Sequence, residues 1–128
     1  MTPEILKART KAFARAVIEF VSSLAQRGPT RLIGDQLIRS AASVGSNYRA
    51  ACRARSRAEF AAKMGIVLEE ADESLYWMEL LVESHLVPNE RLTPLMKEAE
   101  ELVAVAVASI KTARQAAARG SQNGGKST

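Results

Sequence analysis

The chain has 128 residues, enough for one domain that buries about two-thirds of the surface its unfolded form exposes. Apolar residues make up 47% but aromatics only 5%, which suits close-packed helices and argues against a sheet built on β-branched and aromatic side chains. Net charge is +4, no run is apolar enough to span a membrane, and the single Cys52 excludes an internal disulfide and fits a reducing cytoplasm.

The opening stretch MTPEILKARTKAF has charges where a secretion signal needs its apolar centre, so export is not expected. Thr2-Pro3-Glu4 reads instead as a helix start, with a capping hydroxyl, proline at the first helical position and an early acid. Phe13, Val17, Phe20 and Leu24 follow at helical spacing, with Leu6 one heptad before Phe13. Gly28-Pro29 stops this helix. Thr30 is placed to cap a second, whose core face is Ile33, Leu37, Ala41, Val44, Tyr48 and Ala51. Ser40 and Asn47 border that face; polar groups there need partners, which predicts that both set helix register through hydrogen bonds. Ser56-Arg57-Ala58-Glu59 is a capping box opening a third helix, expected to bury Phe60, Met64, Val67, Ala71, Leu75, Met78 and Val82. After the turn at Pro88-Asn89, a fourth helix starts at Asn89 or at Thr93-Pro94. Its stripe is Leu92, Leu95, Ala99, Leu102, Ala106, Ile110 and Ala113. From Gly120, GSQNGGKST reads as a disordered tail. Short loops make consecutive helices antiparallel neighbours. The expected fold is therefore all-α: an antiparallel up-down-up-down four-helix bundle over residues 1–119, with a disordered polar tail at 120–128.

Charge is segregated along the chain. Residues 30–57 hold six arginines against Asp35 alone, whereas residues 58–87 hold seven acids against Lys63. At about 100° per residue, Arg31, Arg39, Arg49 and Arg53 fall opposite the core face of helix two. Arg55 and Arg57 extend the row past the helix end, and Lys7, Lys11 and Arg15 add charge from helix one. Such fields bind phosphate backbones, with affinity that falls steeply as salt rises. The residues expected to meet phosphate are Arg39, Arg49, Arg53, Arg55 and Arg57; with no aromatic among them, base stacking is not expected. In the competing reading these arginines are neutralised by the acids of helix three, leaving a protein-interaction or purely structural bundle.

Helix three carries a second face. Ile66, Glu70, Glu73, Trp77 and Leu80 lie roughly 135° from its core stripe at helical period, more apolar surface than one bundle covers. This face predicts an interface between copies of the chain, with Trp77 as anchor. The pairs Glu69/Glu73 and Glu79/Glu83 repel at four-residue spacing unless a cation lies near, and a neighbouring protomer's arginines supply one.

Catalytic signals are weak. The one histidine, His85, has Val82 three residues before it, whereas a di-iron bundle needs two Glu-x-x-His pairs. Glu69-Glu70-Ala71-Asp72 and Glu98-Ala99-Glu100-Glu101 have spacings that could hold Mg²⁺, as in helical nucleotide hydrolases, but any glutamate-rich helix produces them. Cys52 has no histidine nearby in sequence, and no glycine-rich phosphate loop occurs. The expectation is a non-enzyme with no cofactor and no membrane partner.

The segment SVGSNYRAACRARSRAEFAAKMGIVLEEADESLYWMELL, from Ser43 to Leu81, resembles the four helix bundle protein family, named for a protein encoded in intervening sequences of 23S ribosomal RNA genes. The same fold serves as the accessory protein of diversity-generating retroelements. The likeness spans roughly residues 5–115 and rests on SNYRA, RARSRAEF, EEADESLYW and MELL. Where the family commonly has an acid shortly after the asparagine matched by Asn47, this chain has Ala50 and Ala51. The resemblance implies a bundle protomer and a ring-shaped homo-oligomer, a pentamer by comparison. It also implies RNA or DNA binding in the retroelement branch, where a reverse transcriptase is a protein partner.

Overall fold

The computed structural model describes residues 1–126, and side chains through residue 120. It is a four-helix bundle, with α1 at Pro3–Ser22, α2 at Gly28–Ala51, α3 at Arg57–Glu83 and α4 at Asn89–Lys126, and no strand among the described residues. None of these helices is long and apolar enough to cross a membrane. The path of α4 continues through Gly120 to Lys126, into the segment where the sequence predicts a disordered tail; residues 127 and 128 lie outside the described residues.

Two helix starts follow their local chemistry as expected. Thr2 caps α1, its Oγ1 accepting from the Ile5 N–H at 3.2 Å ahead of Pro3. Ser56 caps α3, accepting from the Glu59 N–H at 3.0 Å. The Glu59 carboxylate reaches back to the Arg55 N–H at 3.3 Å, one residue short of the reciprocal bond in a capping box. The start of α2 differs from expectation: it opens at Gly28, not at a Thr30 cap, and Arg27 in the cap position makes no side-chain bond. Gly28 takes a left-handed φ of 60° and Pro29 follows in the first turn; the dipeptide launches α2 and does not stop α1, which has already ended at Ser22 with Ser23 as its cap. Of the two starts open to α4, the helix takes Asn89 and keeps Pro94 inside, with Thr93 Oγ1 donating to the Asn89 carbonyl at 2.9 Å. At the end of α3, His85 is left-handed (φ 59°); its N–H reaches the Val82 carbonyl and the Leu86 N–H reaches the Leu81 carbonyl, both at 3.0 Å. That is a Schellman stop, usually made with glycine.

Each helix packs on its chain neighbour, and α1 also meets α4. The core runs through Val17, Leu37, Val44, Met64, Met78, Leu81 and Leu92, all fully buried. The predicted α4 stripe is buried except for Leu95, and that of α2 except for Ile33, whose neighbour Gly34 lies inside instead. In α1, Val21 is buried while Phe20 sits at the flank, as does Leu24 just past the helix end, with Phe20 beneath the Arg91 guanidinium 5.1 Å from its ring centre. In α3, Ala61, Ser74 and Leu81 occupy the stripe, and the predicted Phe60, Leu75 and Val82 are half-buried at its edges. Small residues sit where helices touch, and long apolar ones reach inward from the side.

The Ser40 expectation is met: Ser74 Oγ donates to Ser40 Oγ at 2.9 Å in the buried α2–α3 seam, and Ser40 donates to the Leu37 carbonyl at 3.2 Å. Asn47 behaves otherwise. Its amide donates to the carbonyl and hydroxyl of Ser43 one turn back, so it bonds within its own helix and holds no register between helices. Arg9 of α1 clasps α4, donating to both carboxylate oxygens of Glu98 and, at 2.6 Å, to Glu101. Glu98 is correspondingly held below the usual carboxylate range, chiefly by that hydrogen bond.

A Cβ added at Gly34 would stand 2.9 Å from Cγ1 of the buried, stiff Val21. Gly34→Ala is therefore expected to lower stability by about 1 kcal/mol, overpacking outweighing the gain in helix propensity. His85→Gly is expected to raise it by about 1 kcal/mol, relieving the left-handed φ. Urea unfolding of both variants checks the pair of opposite signs.

Candidate nucleic-acid interface

Helix α2 is buried along Leu37, Ala41, Val44, Tyr48 and Ala51, which turns Arg31, Arg39, Arg49 and Arg53 outward; all four are exposed, as are Arg55 and Arg57. Among the described residues, Arg31, Arg49, Arg53, Arg55 and Arg57 have no carboxylate within ion-pair distance. Arg57 makes only a long hydrogen bond, 3.4 Å, to the Ala116 carbonyl. Arg39 differs from the other predicted phosphate ligands. Its guanidinium donates to Glu73 on α3 at 2.9 Å and to Gln36 at 3.1 Å.

That pair joins the arginine row to the second face of α3. Glu73 also accepts from the Trp77 indole N–H at 3.2 Å, and Trp77 is half-buried against the core while stacking edge-on to Tyr76, 5.1 Å between ring centres. Of the predicted interface residues, Ile66 is exposed and Glu70, Glu73, Trp77 and Leu80 are half-buried. Tyr76, absent from the prediction, is 56% exposed. The signal was present: Ile66, Glu69, Glu73, Tyr76 and Leu80 also keep helical spacing, one residue round from the chosen set. Apolar and polar residues are far less segregated around α3 than around α1 or α2. One oxygen of Glu70 is buried with no hydrogen-bond partner among the described residues, and its carboxyl is pushed above the usual range, first by burial and then by Glu73, against the pull of Arg39.

Two concavities flank the row. A groove of about 480 Å³ between α1 and α2 is bordered by Lys7, Lys11 and Arg49. A larger apolar one, about 780 Å³, lies where α1 and α2 meet α4, with Leu6, Tyr48, Cys52, Phe60 and Val105 in its wall. There burial, and then the Cys52 thiol, holds the Tyr48 hydroxyl well above its usual range. Of the acids with metal-like spacing, Glu98 and Glu101 are turned onto Arg9. Among the described residues no three or more His, Cys, Asp or Glu converge as a metal site would require.

A family model described as the 23S rRNA-intervening sequence protein matches residues 5–108. The chain belongs to that family. A solved structure similar to this family member is a protein of unknown function from the S23 ribosomal protein family of Bacteroides thetaiotaomicron. The two share 28% identity, with a TM-score of 0.77 over 87% of this chain and 99% of that one. No curated protein matches the chain.

The raised Glu70 carboxyl has a definite sign. Its folded form takes up a proton more readily than its unfolded form, so this contribution to stability is present at low pH and lost as pH rises through the raised value. Glu70→Gln is expected to raise Tm at neutral pH, with a gain that shrinks as pH falls toward the ordinary carboxylate range. Thermal unfolding of both proteins across that interval checks it.

Proposed function

We propose that this family member is a non-enzymatic, cytoplasmic helical protein that binds the phosphate backbone of RNA or DNA through the outward basic row. The observation that carries this reading is the set Arg49, Arg53, Arg55 and Arg57: exposed, and without a carboxylate partner among the described residues. Arg39, tied to Glu73, belongs to the α2–α3 joint instead. Cations left without internal partners keep their field for an external anion, and a backbone binder needs no base contacts. The family description, tied to an intervening sequence in 23S rRNA, makes RNA the first ligand to test. The alternative, a structural bundle with its arginines neutralised, has the Arg39–Glu73 pair in its favour.

The proposed architecture is an up-down-up-down bundle. Gly34 beside Val21 and Gly45 beside Thr10 run in opposite chain directions, which supports antiparallel α1 and α2. We place the protomers in a homo-oligomeric ring, a pentamer by family likeness, joined through Ile66, Tyr76, Trp77 and Leu80 of α3. Exposed Ile66 and Tyr76 and the orphaned Glu70 oxygen support that face, since a partner subunit covers the one and can donate to the other.

A fluorescently labelled single-stranded RNA should bind at low salt. If the four arginines each neutralise one phosphate of a single strand, a fourfold rise in salt weakens binding roughly 50-fold. Arg53→Gln with Arg55→Gln should reduce the log–log salt slope by about 1.4; absence of binding at the lowest salt would refute the reading. For assembly, light scattering should give several protomers per particle at micromolar concentration, and Ile66→Asp with Tyr76→Asp should yield monomers of unchanged helicity. A wild-type monomer would remove the ring.

A further inference from the structure

We infer that the groove between α1 and α2 is the seat of a phosphodiester strand, with Lys11 and Arg49 as its principal phosphate ligands and Lys7 as an auxiliary. This rests on the nucleic-acid reading above and assigns it a place. Helix α1 turns Leu6, Thr10, Phe13 and Val17 into the core, which puts Lys7 and Lys11, one turn apart, along the edge facing α2. Arg49 stands across the groove on α2. Lys7 shares its charge with Glu4 at 3.4 Å, whereas Lys11 and Arg49 have no carboxylate within ion-pair distance among the described residues. Three cations against Glu4 leave the groove net positive.

The floor matters as much as the rim. It is made of Ala8, Ala42 and Gly45, and a Cβ built on Gly45 would lie 3.6 Å from the Thr10 carbonyl, so the two helices nearly touch there. Side chains this short leave about 480 Å³ open beneath long, mobile cationic arms, which can fold onto a phosphate from both sides. A stripe of small residues alone would only mark close packing. Here two unpaired cations on different helices border the same cleft. The positive row continues one turn past Arg49 to the exposed Arg53, and then to Arg55 and Arg57 beyond the helix end. A ligand that follows this path is a polyanion, not a single phosphate. No aromatic lines the groove, so recognition is of backbone rather than base.

The test separates a groove from a diffuse field by filling it without changing charge. Ala42 and Ser46 line the groove and are exposed, so tryptophan at either position occludes the cleft and leaves the core untouched. Binding of a labelled oligouridylate and a labelled oligothymidylate to the full chain is measured by anisotropy, with helicity and particle size checked for each variant. Ala42→Trp and Ser46→Trp should each weaken binding more than about tenfold. Lys11→Gln with Arg49→Gln should lower the salt slope by about 1.4. Ser46→Ala should bind as the wild type does. Both tryptophan variants folding and binding like wild type would overturn the groove while leaving the basic-surface reading intact. A wild type that binds neither oligonucleotide would remove both. Labelled polyglutamate of equal length binding as tightly as the oligonucleotides would also overturn it, in favour of an acidic protein ligand.

Discussion

Close approach of helices through small side chains is the constraint on which the rest of this structure depends. Ala41, Ala71, Ala99 and Ala106 are fully buried, and Ser40 meets Ser74 in the seam between α2 and α3. A bundle packed on alanine and serine is slender. Its interior takes the branched chains of Val17, Leu37, Leu81 and Leu92 with the two pliant methionines Met64 and Met78, and two aromatics, Phe13 and Tyr48. Phe20, Phe60 and Trp77 lie at the flanks, where each packs against an edge of the core. The same slenderness leaves shallow clefts between rods, so the surface chemistry is set by whatever long side chains border them.

Electrostatics divide along the same geometry. Where a cation faces acids across a helix contact it is used internally: Arg9 holds Glu98 and Glu101, and Arg39 holds Glu73. Arg31, Arg49, Arg53, Arg55 and Arg57 of the outward row are exposed and have no carboxylate within ion-pair distance among the described residues. The acidic surplus of α3 is only partly cancelled, and Glu70 bears the cost as a buried carboxylate oxygen with no donor among the described residues.

Most helices were legible because their signals are local. The caps at Thr2 and Ser56 and the heptad stripe of α4 need only a few neighbouring residues to be recognised. The family likeness, too, rests on one contiguous stretch. What escaped was non-local or small. Pattern reading favours large apolar residues, so Phe60 was preferred over Ala61 and Trp77 drew attention from the more exposed Tyr76; Val82 in place of Leu81 is a one-residue error of phase. The Arg9 clasp joins positions 89 apart in sequence and leaves no periodic trace. The cationic groove was half visible: Lys7 and Lys11 were recognisable as charge, but that they share a cleft with Arg49 depends on how α1 settles on Gly45.

The Arg9 clasp carries one more implication. Helix α1 meets α4 less extensively than any other pair of neighbours meets, so the seam between the first and last rods is held largely by two guanidinium groups, Arg9 on Glu98 and Glu101 and Arg91 on Ser23 and the Phe20 ring. The first rod is thus the natural place for the molecule to open, with amide protons along α1 exchanging ahead of those in α3. A strand lying between the first two rods would act as a splint across that loosest member, binding and rigidity rising together.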